Sequence, residues 1–139
     1  MNSSKFPMHG HLALSLDNRI LVISGRGPAN VEMIQHYQRE VLTFKELLQT
    51  GPWASLVLLQ DMLILPPDAK ELMLGIVKIP KDSKLVATAI VIMEKEYPQI
   101  VERFWQDIYS NSTVPCQFFI SETAARSWLV DMLSSASLS

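Results

Sequence analysis

The sequence contains one cysteine, Cys116, and few charged side chains, which make up 19% of its 139 residues. A single cysteine excludes an intramolecular disulfide and a CxxC metal site. The formal net charge of −2 argues against a nucleic-acid partner, since binding phosphates requires clustered Lys and Arg. Hydrophobic residues, at 48%, are too frequent for an intrinsically disordered chain. We therefore expect one folded domain over residues 1–139, with an ordered core from about residue 9 to residue 133.

The sequence also lacks a long apolar run. Its longest nearly uninterrupted apolar stretch, Leu85 to Met93, is about half the length of a transmembrane helix. The polar start shows no apolar segment typical of a signal peptide. These features predict a cytoplasmic location without membrane insertion. The mean hydropathy of +0.16, together with the low charge, favours self-association into a homodimer.

Apolar periodicity predicts an alternation of strands and helices. Leu12 to Leu16 alternates with period two and is followed by a turn and the apolar run Ile20 to Ile23, which is typical of a β-hairpin. Apolar residues at helical spacing then predict one helix from Val31 to Leu48, capped by Asn30. Further strands are predicted at 53–59, 85–93 and 114–120, each followed by a helix, and Ser121 is expected to cap the last one. This order predicts an α/β fold whose mainly parallel five-stranded sheet has an N-terminal β-hairpin and four helices.

Few residues form a pattern typical of a cofactor or metal site. The turn Gly25-Arg26-Gly27 lies between a strand and a helix, but Asn30 stands where a dinucleotide-binding loop requires its third glycine. His9 and His11 could face the same side of an extended segment, yet His36 is the remaining histidine, so further ligands are missing. We therefore predict no metal and no cofactor.

The candidates for catalysis also have simpler interpretations. Cys116 falls inside a predicted strand, where neither a helix N-terminus nor a local cation lowers a thiol pKa. Asp61 and Asp68 could form an acid–base pair, but Asp68 lies at a predicted helix start, where a carboxylate is stabilised by the helix dipole. The sequence predicts no catalytic residue, and the protein is expected not to be an enzyme.

The segment Met62-Leu63-Ile64-Leu65 is apolar although it follows a buried strand and should be a loop. Ligands of open α/β sheets bind at this carboxyl edge. The residues Asp61, Met62, Leu63, Ile64, Leu65, Pro66, Pro67 and Asp68 are therefore predicted to form a binding surface or the lip of a pocket. The alternative is that the four apolar side chains belong to the core.

Several local motifs resemble the STAS-like superfamily, which includes the anti-sigma-factor antagonists, and in particular its small divergent bacterial members. The stretch Ile20 to Gly25, followed by Asn30, is similar to the second strand, glycine turn and first helix of these proteins. Leu56 to Asp61 resembles their central strand, and Phe118 to Leu129 their closing strand and helix. The resemblance implies a STAS-like fold and a regulatory role through protein contacts.

One departure from this resemblance concerns phosphorylation. Phosphoregulated antagonists carry a serine at the start of the helix that follows the central strand. Here that place is occupied by Pro66-Pro67-Asp68-Ala69, which has no hydroxyl group to receive a phosphate. The phosphorylation site of the superfamily is therefore not expected in this chain.

Two functional hypotheses follow. The first is a non-enzymatic cytoplasmic STAS-like domain that acts through protein–protein interaction, with an unknown protein partner or as a homodimer. The alternative is a carrier or sensor that binds an apolar or lipid-like small molecule in a pocket at the carboxyl end of the sheet.

Overall fold

The computed structural model describes residues 10–61, 64–80 and 82–138. These residues form five strands and five helices. In chain order they are β1 (His11–Asp17), β2 (Ile20–Arg26), α1 (Val31–Thr43), α2 (Lys45–Leu48), β3 (Trp53–Gln60), α3 (Pro67–Ile76), β4 (Leu85–Ile92), α4 (Pro98–Tyr109), β5 (Cys116–Phe119) and α5 (Glu122–Leu138).

The five strands form one sheet in the order β1-β2-β3-β4-β5. Strands β1 and β2 pair antiparallel as a hairpin, and β2, β3, β4 and β5 are parallel to one another. Parallel neighbours need crossover connections, which the helices between them provide. The predicted α/β class, the N-terminal hairpin and the mainly parallel five-stranded sheet are thus confirmed.

Successive side chains of the central strands alternate between two faces of the sheet, and each face has its own apolar core. Helix α5 covers one face, while α1, α3 and α4 cover the other. The α5 face is formed largely by Ile20, Val22, Ala54, Leu56, Leu58, Ala87, Ala89 and Val91 with Ala125 and Leu129 of the helix. The opposite core includes Leu21, Ile23, Val57, Leu59, Ile90 and Ile92 with Met33, Met73, Trp105 and Tyr109.

The helix predicted from Val31 to Leu48 is divided in two, so that the described chain has five helices instead of four. Helix α1 ends at Thr43, whose hydroxyl donates to the Glu40 carbonyl at 2.7 Å, and the short α2 follows Phe44. Arg19, in the turn of the hairpin, donates to the carbonyls of Leu47 at 2.8 Å and Leu48 at 2.9 Å. These contacts, between residues far apart in the sequence, hold α2 as a helix separate from α1. The apolar periodicity of the segment alone could not predict this break.

Two predicted helix caps are confirmed by hydrogen bonds. The Asn30 side chain accepts from the Met33 amide at 3.1 Å, and the Ser121 hydroxyl accepts from the Ala124 amide at 3.2 Å. Helix α5 continues to Leu138, beyond the expected end of the ordered core near residue 133. The Ser137 hydroxyl donates to the Leu133 carbonyl at 3.0 Å, so the serine-rich end is incorporated into the helix.

Removing one buried side chain from α5 tests how much this single helix contributes to stability. Leu129 is fully buried, whereas the adjacent Val130 is 53% exposed. Leu129→Ala should lower the free energy of unfolding by about 2–5 kcal/mol because it leaves a cavity under the sheet. Val130→Ala should change it by less than about 0.5 kcal/mol. Urea titrations of the two variants measure the difference, and equal destabilisation would contradict this packing of α5.

Candidate ligand-binding cavity

A cavity of about 660 Å³ lies between the sheet and the helices α1, α2 and α3. The strand residues that line it include Leu21, Trp53 and Leu85, which belong to the first half of their strands. The cavity is therefore at the amino end of the parallel strands, the edge opposite to the predicted pocket. Most of its remaining wall is apolar and includes Val41, Met73 and Ile76.

The sheet side of the cavity contains a pair of hydroxyl groups. Ser55 and Thr88 are both lining residues and face each other across β3 and β4. Their hydroxyl oxygens are 2.8 Å apart and share a hydrogen bond. Each residue is at least 94% buried, with exposures of 6% and 4%. The pair is a polar spot on an otherwise apolar surface.

Two tyrosines add phenol groups to the helix side of the cavity. Tyr37 belongs to α1 and Tyr109 to α4, and both line the cavity. Burial raises the pKa of Tyr37 to about 12. Burial also raises the pKa of Tyr109 well above its usual 10.0, and the nearby Tyr37 phenol and Cys116 thiol raise it further. Both phenols therefore keep their protons at neutral pH and can donate hydrogen bonds.

Exposed charged residues surround the mouth of the cavity. Lys45 begins α2, Lys78 follows α3, and Asp82 lies in the loop before β4. The Trp53 indole donates to the Ser83 carbonyl at 2.9 Å, which attaches this loop to the start of β3. The mouth is thus charged while the interior is apolar with hydroxyl groups, an arrangement common in small-molecule sites.

Arg19 fixes the wall on the α2 side of the mouth. Besides the two carbonyls at the end of α2, its guanidinium donates to the carbonyls of Gly51 at 2.7 Å and Pro52 at 3.0 Å, and to the Thr50 hydroxyl at 3.3 Å. One side chain therefore binds four backbone carbonyl groups at the end of α2 and in the turn that follows. Hydrogen bonds to a charged donor are among the stronger ones in proteins.

The residues considered for metal or nucleophilic chemistry are the three histidines and Cys116. Among the described residues no three His, Cys, Asp or Glu side chains come close enough to hold a metal ion. His11 is exposed and His36 is half-buried, while His9 lies outside the described residues. Cys116 is half-buried at the start of β5, and burial raises the pKa of its thiol, which opposes formation of a nucleophilic thiolate.

The predicted binding segment lies at the carboxyl edge of the sheet, and its described residues have different environments. Asp61 is exposed and pairs with Arg26, with 3.2 Å between Nε and Oδ2. Ile64 is 38% exposed, whereas Leu65 is 6% exposed and belongs to the core. Met62 and Leu63 lie outside the described residues. None of the described residues of this segment lines the large cavity.

The second half of the predicted segment forms the start of α3. Pro66 is the N-cap residue, Pro67 is the first helical residue, and the side chain of Asp68 accepts from the Ala69 amide at 2.8 Å. Pro67 and Asp68 are exposed. Asp68 thus has the place in the first helical turn that its sequence position suggested.

Ile64 is one of several exposed apolar residues at the carboxyl edge. Met93, directly after β4, is 38% exposed, and Tyr97 and Ile100 at the start of α4 are 53% and 54% exposed. The Glu94 carboxylate shapes this loop by accepting from the amides of Glu96 and Tyr97, each at 3.1 Å. We refer to Ile64, Met93, Tyr97 and Ile100 as the carboxyl-edge group.

Comparisons with known proteins inform the fold. No protein-family model matches the sequence, and no curated protein matches it. A search of solved structures finds an uncharacterized protein of the DUF3478 family from Shewanella loihica PV-4, described as having a SpoIIAA-like fold. The two chains are 14% identical, the match covers 92% of this chain and 99% of the other, and the TM-score is 0.56.

This chain has a SpoIIAA-like fold. It is the STAS-like fold that the sequence resemblance implies, and that prediction is confirmed. Helix α3, which follows the central strand β3, begins after Pro66, and this cap residue makes no side-chain hydrogen bond to the helix. No helix among the described residues is long and apolar enough to cross a membrane.

Two polar residues within the apolar strands of this SpoIIAA-like domain point to the hydroxyl pair of the cavity. Ser55 interrupts the apolar run of β3, and Thr88 interrupts that of β4. A buried polar side chain requires a hydrogen-bond partner, so two such interruptions in neighbouring strands indicate a shared polar site. The sequence pattern predicts no role for Tyr37 beyond its place in the helix from Val31 to Leu48, and it does not distinguish Tyr109 from a surface residue.

The raised tyrosine pKa values predict a loss of stability at alkaline pH. The folded chain holds both phenol protons more tightly than the unfolded chain, whose tyrosine pKa is near 10.0. The free energy of unfolding should therefore be unaffected by these groups below about pH 10 and fall as the pH rises toward 12.

Urea midpoints measured across this range check the prediction. The double variant Tyr37→Phe, Tyr109→Phe should lose less stability between pH 10 and 12 than the wild type, since it has no buried phenol to ionise. Tyr97→Phe is the matched control, because that side chain is 53% exposed. If the double variant and the control have the same pH profile as the wild type, the buried phenols are not responsible.

Proposed function

We propose that this protein is a non-enzymatic cytoplasmic domain that binds an apolar or lipid-like small molecule as a carrier or sensor. The proposal moves the pocket from the carboxyl end of the sheet, where the sequence placed it, to the cavity at the amino end. The observation that carries it is the cavity of about 660 Å³ between the sheet and the helices.

The size and lining of the cavity support a small-molecule ligand. Ligand sites commonly occupy roughly 300–1,000 Å³ and combine an apolar wall with a few polar groups. A ligand that fills this cavity would remove apolar side chains such as Val41 and Ile76 from water, at about 25 cal/mol for each Å² of apolar surface. Contact with the apolar wall would therefore stabilise the complex with an apolar molecule.

The chemistry of the described residues favours binding over catalysis. The Cys116 thiol has a raised pKa and donates to the Val114 carbonyl at 3.4 Å. Asp61 and Asp68 are exposed at the opposite edge of the sheet. The cavity itself contains two phenols with raised pKa values and two aliphatic hydroxyl groups, which orient a ligand more readily than they attack it.

Filling the cavity should weaken ligand binding. Gly75 lines the cavity, and a Cβ atom added there would meet no other atom within 4 Å. Gly75→Trp should weaken binding of the neutral fluorescent probe N-phenyl-naphthylamine by about tenfold or more, because the indole occupies the ligand volume. Fluorescence titration of the purified protein measures this effect, and native mass spectrometry of protein from cells would identify a co-purifying ligand.

The control variant introduces a tryptophan on the opposite face of the sheet, away from the cavity. Ser127 is exposed on α5, on the other face of the sheet, so Ser127→Trp should bind the probe as the wild type does. If the wild type does not bind the probe and carries no small molecule from cells, the ligand-binding function is rejected. Equal binding by the wild type and Gly75→Trp would reject the cavity as the site.

We propose as a second candidate function that the carboxyl edge mediates association with a second copy of the chain. The observation that favours it is the carboxyl-edge group of exposed apolar residues, beside the predicted segment Asp61 to Asp68. The neighbouring Arg26–Asp61 ion pair carries no net charge, so two copies can meet there without repulsion between these groups. Apolar surface of this kind is typical of protein contacts.

Sedimentation analysis at micromolar concentration tests the second candidate. We expect a dimer for the wild type and a monomer for Ile100→Glu, because a carboxylate in a closed apolar contact loses its hydration without gaining a partner. Val130→Glu is the matched control, since Val130 on α5 is 53% exposed and Ile100 is 54% exposed. A monomeric wild type, or a dimer in both variants, would reject this interface.

A further inference from the structure

We infer that the ligand carries a neutral hydrogen-bond-accepting oxygen, such as a ketone, ester or ether oxygen, at the end that enters the cavity. This inference rests on the proposed ligand-binding function and specifies the chemical class of the ligand. The groups that would receive the oxygen are the hydroxyls of Ser55, Thr88, Tyr37 and Tyr109, all of which line the cavity.

The Ser55–Thr88 pair has one proton more than its own hydrogen bond uses. Two hydroxyl groups carry two protons, and a single bond between their oxygens at 2.8 Å takes up one of them. Among the described residues no further side-chain or backbone acceptor is bonded to either oxygen. The second proton is therefore available to an oxygen atom that enters the cavity.

The two phenols are further donors without an acceptor. Within the described part of the chain neither the Tyr37 nor the Tyr109 hydroxyl makes a hydrogen bond. No fully enclosed side-chain oxygen or nitrogen in that part lacks a partner, so these phenol oxygens must border open space. Because both residues line the cavity, we assign that space to the cavity.

The strand register brings the two strand hydroxyls together, and the two phenols lie near each other. Ser55 pairs with Thr88 across β3 and β4, and Thr88 pairs with Cys116 across β4 and β5. The Tyr109 phenol is close enough to both the Cys116 thiol and the Tyr37 phenol for their charges to interact. The hydroxyl groups that line the cavity thus come from two neighbouring strands, β3 and β4, and from two helices, α1 and α4.

The absence of a buried cation favours a neutral oxygen over a carboxylate. Among the described lining residues the cations are Lys45 and Lys78, and both are exposed at the mouth. A carboxylate at the hydroxyl end would lose its hydration without a counter-charge, which costs far more than burial of a carbonyl that accepts hydrogen bonds. A neutral oxygen has two lone pairs, so it can accept hydrogen bonds from two of the three available donors.

A matched pair of ligands tests the inference. Hexyl phenyl ketone and heptylbenzene have nearly the same shape and differ by the replacement of one carbonyl with a methylene group. Each is titrated against the complex of the protein with N-phenyl-naphthylamine, and displacement of the probe gives its affinity. Tyr109→Phe should weaken ketone binding by about three- to tenfold, the worth of one hydrogen bond, and leave heptylbenzene binding unchanged.

Further variants separate a hydrogen bond from a change of shape. Tyr37→Phe and Thr88→Val should act as Tyr109→Phe does, so a folding defect in one variant does not remove the test, and circular dichroism checks each fold. Tyr97→Phe is the control with unchanged affinity for both ligands. Two results would overturn the inference while the binding function stands. One is that the variants weaken the binding of the ketone and of heptylbenzene equally. The other is that no folded variant changes the affinity for the ketone. Failure of the wild type to bind the probe would overturn both.

Discussion

The two central strands are apolar on both faces, and this constraint determines where every helix must lie. Between Ala54 and Leu59 each residue of β3 is buried, as is each residue of β4 from Ala87 to Ile92. A strand of this kind is stable only between two covering layers. The chain provides them with α5 on one face and α1, α3 and α4 on the other.

The two faces are covered in different ways because their side chains differ in size. Ala54, Ala87 and Ala89 let α5 approach the sheet closely, so one helix fills that layer. The other face carries larger side chains, and its three longer helices converge where Trp105 and Tyr109 pack, 6.0 Å between ring centres. Toward the amino end of the strands these helices leave the space that forms the cavity. The candidate site is thus a product of layer packing.

The fold was largely predictable from local patterns, whereas the site was not. Alternation and apolar runs locate the strands, and Asn30 and Ser121 mark helix starts, because these signals act over a few residues. The pairing of Ser55 with Thr88 depends on a register shift between Trp53 and Ala54, which only the assembled sheet contains. The break before α2 depends on Arg19, far away in sequence. The predicted segment at Asp61 to Asp68 was chosen from a general rule for open sheets, and that rule does not account for a cavity at the opposite edge.

The Arg19 contacts have a consequence for how the domain responds to its surroundings. A guanidinium group keeps its charge at every pH at which a protein stays folded, and its partners are mostly backbone carbonyls that do not titrate. The wall on the α2 side of the cavity mouth is therefore insensitive to pH. Substituting the side chains of the residues that supply these carbonyls should also leave the contacts in place. The hydrogen-bond donors of the cavity interior, in contrast, include two phenols that would lose their protons at high pH. If the cavity binds a ligand as proposed, substitutions in its interior can change which ligand binds while the Arg19 contacts preserve the shape of the mouth.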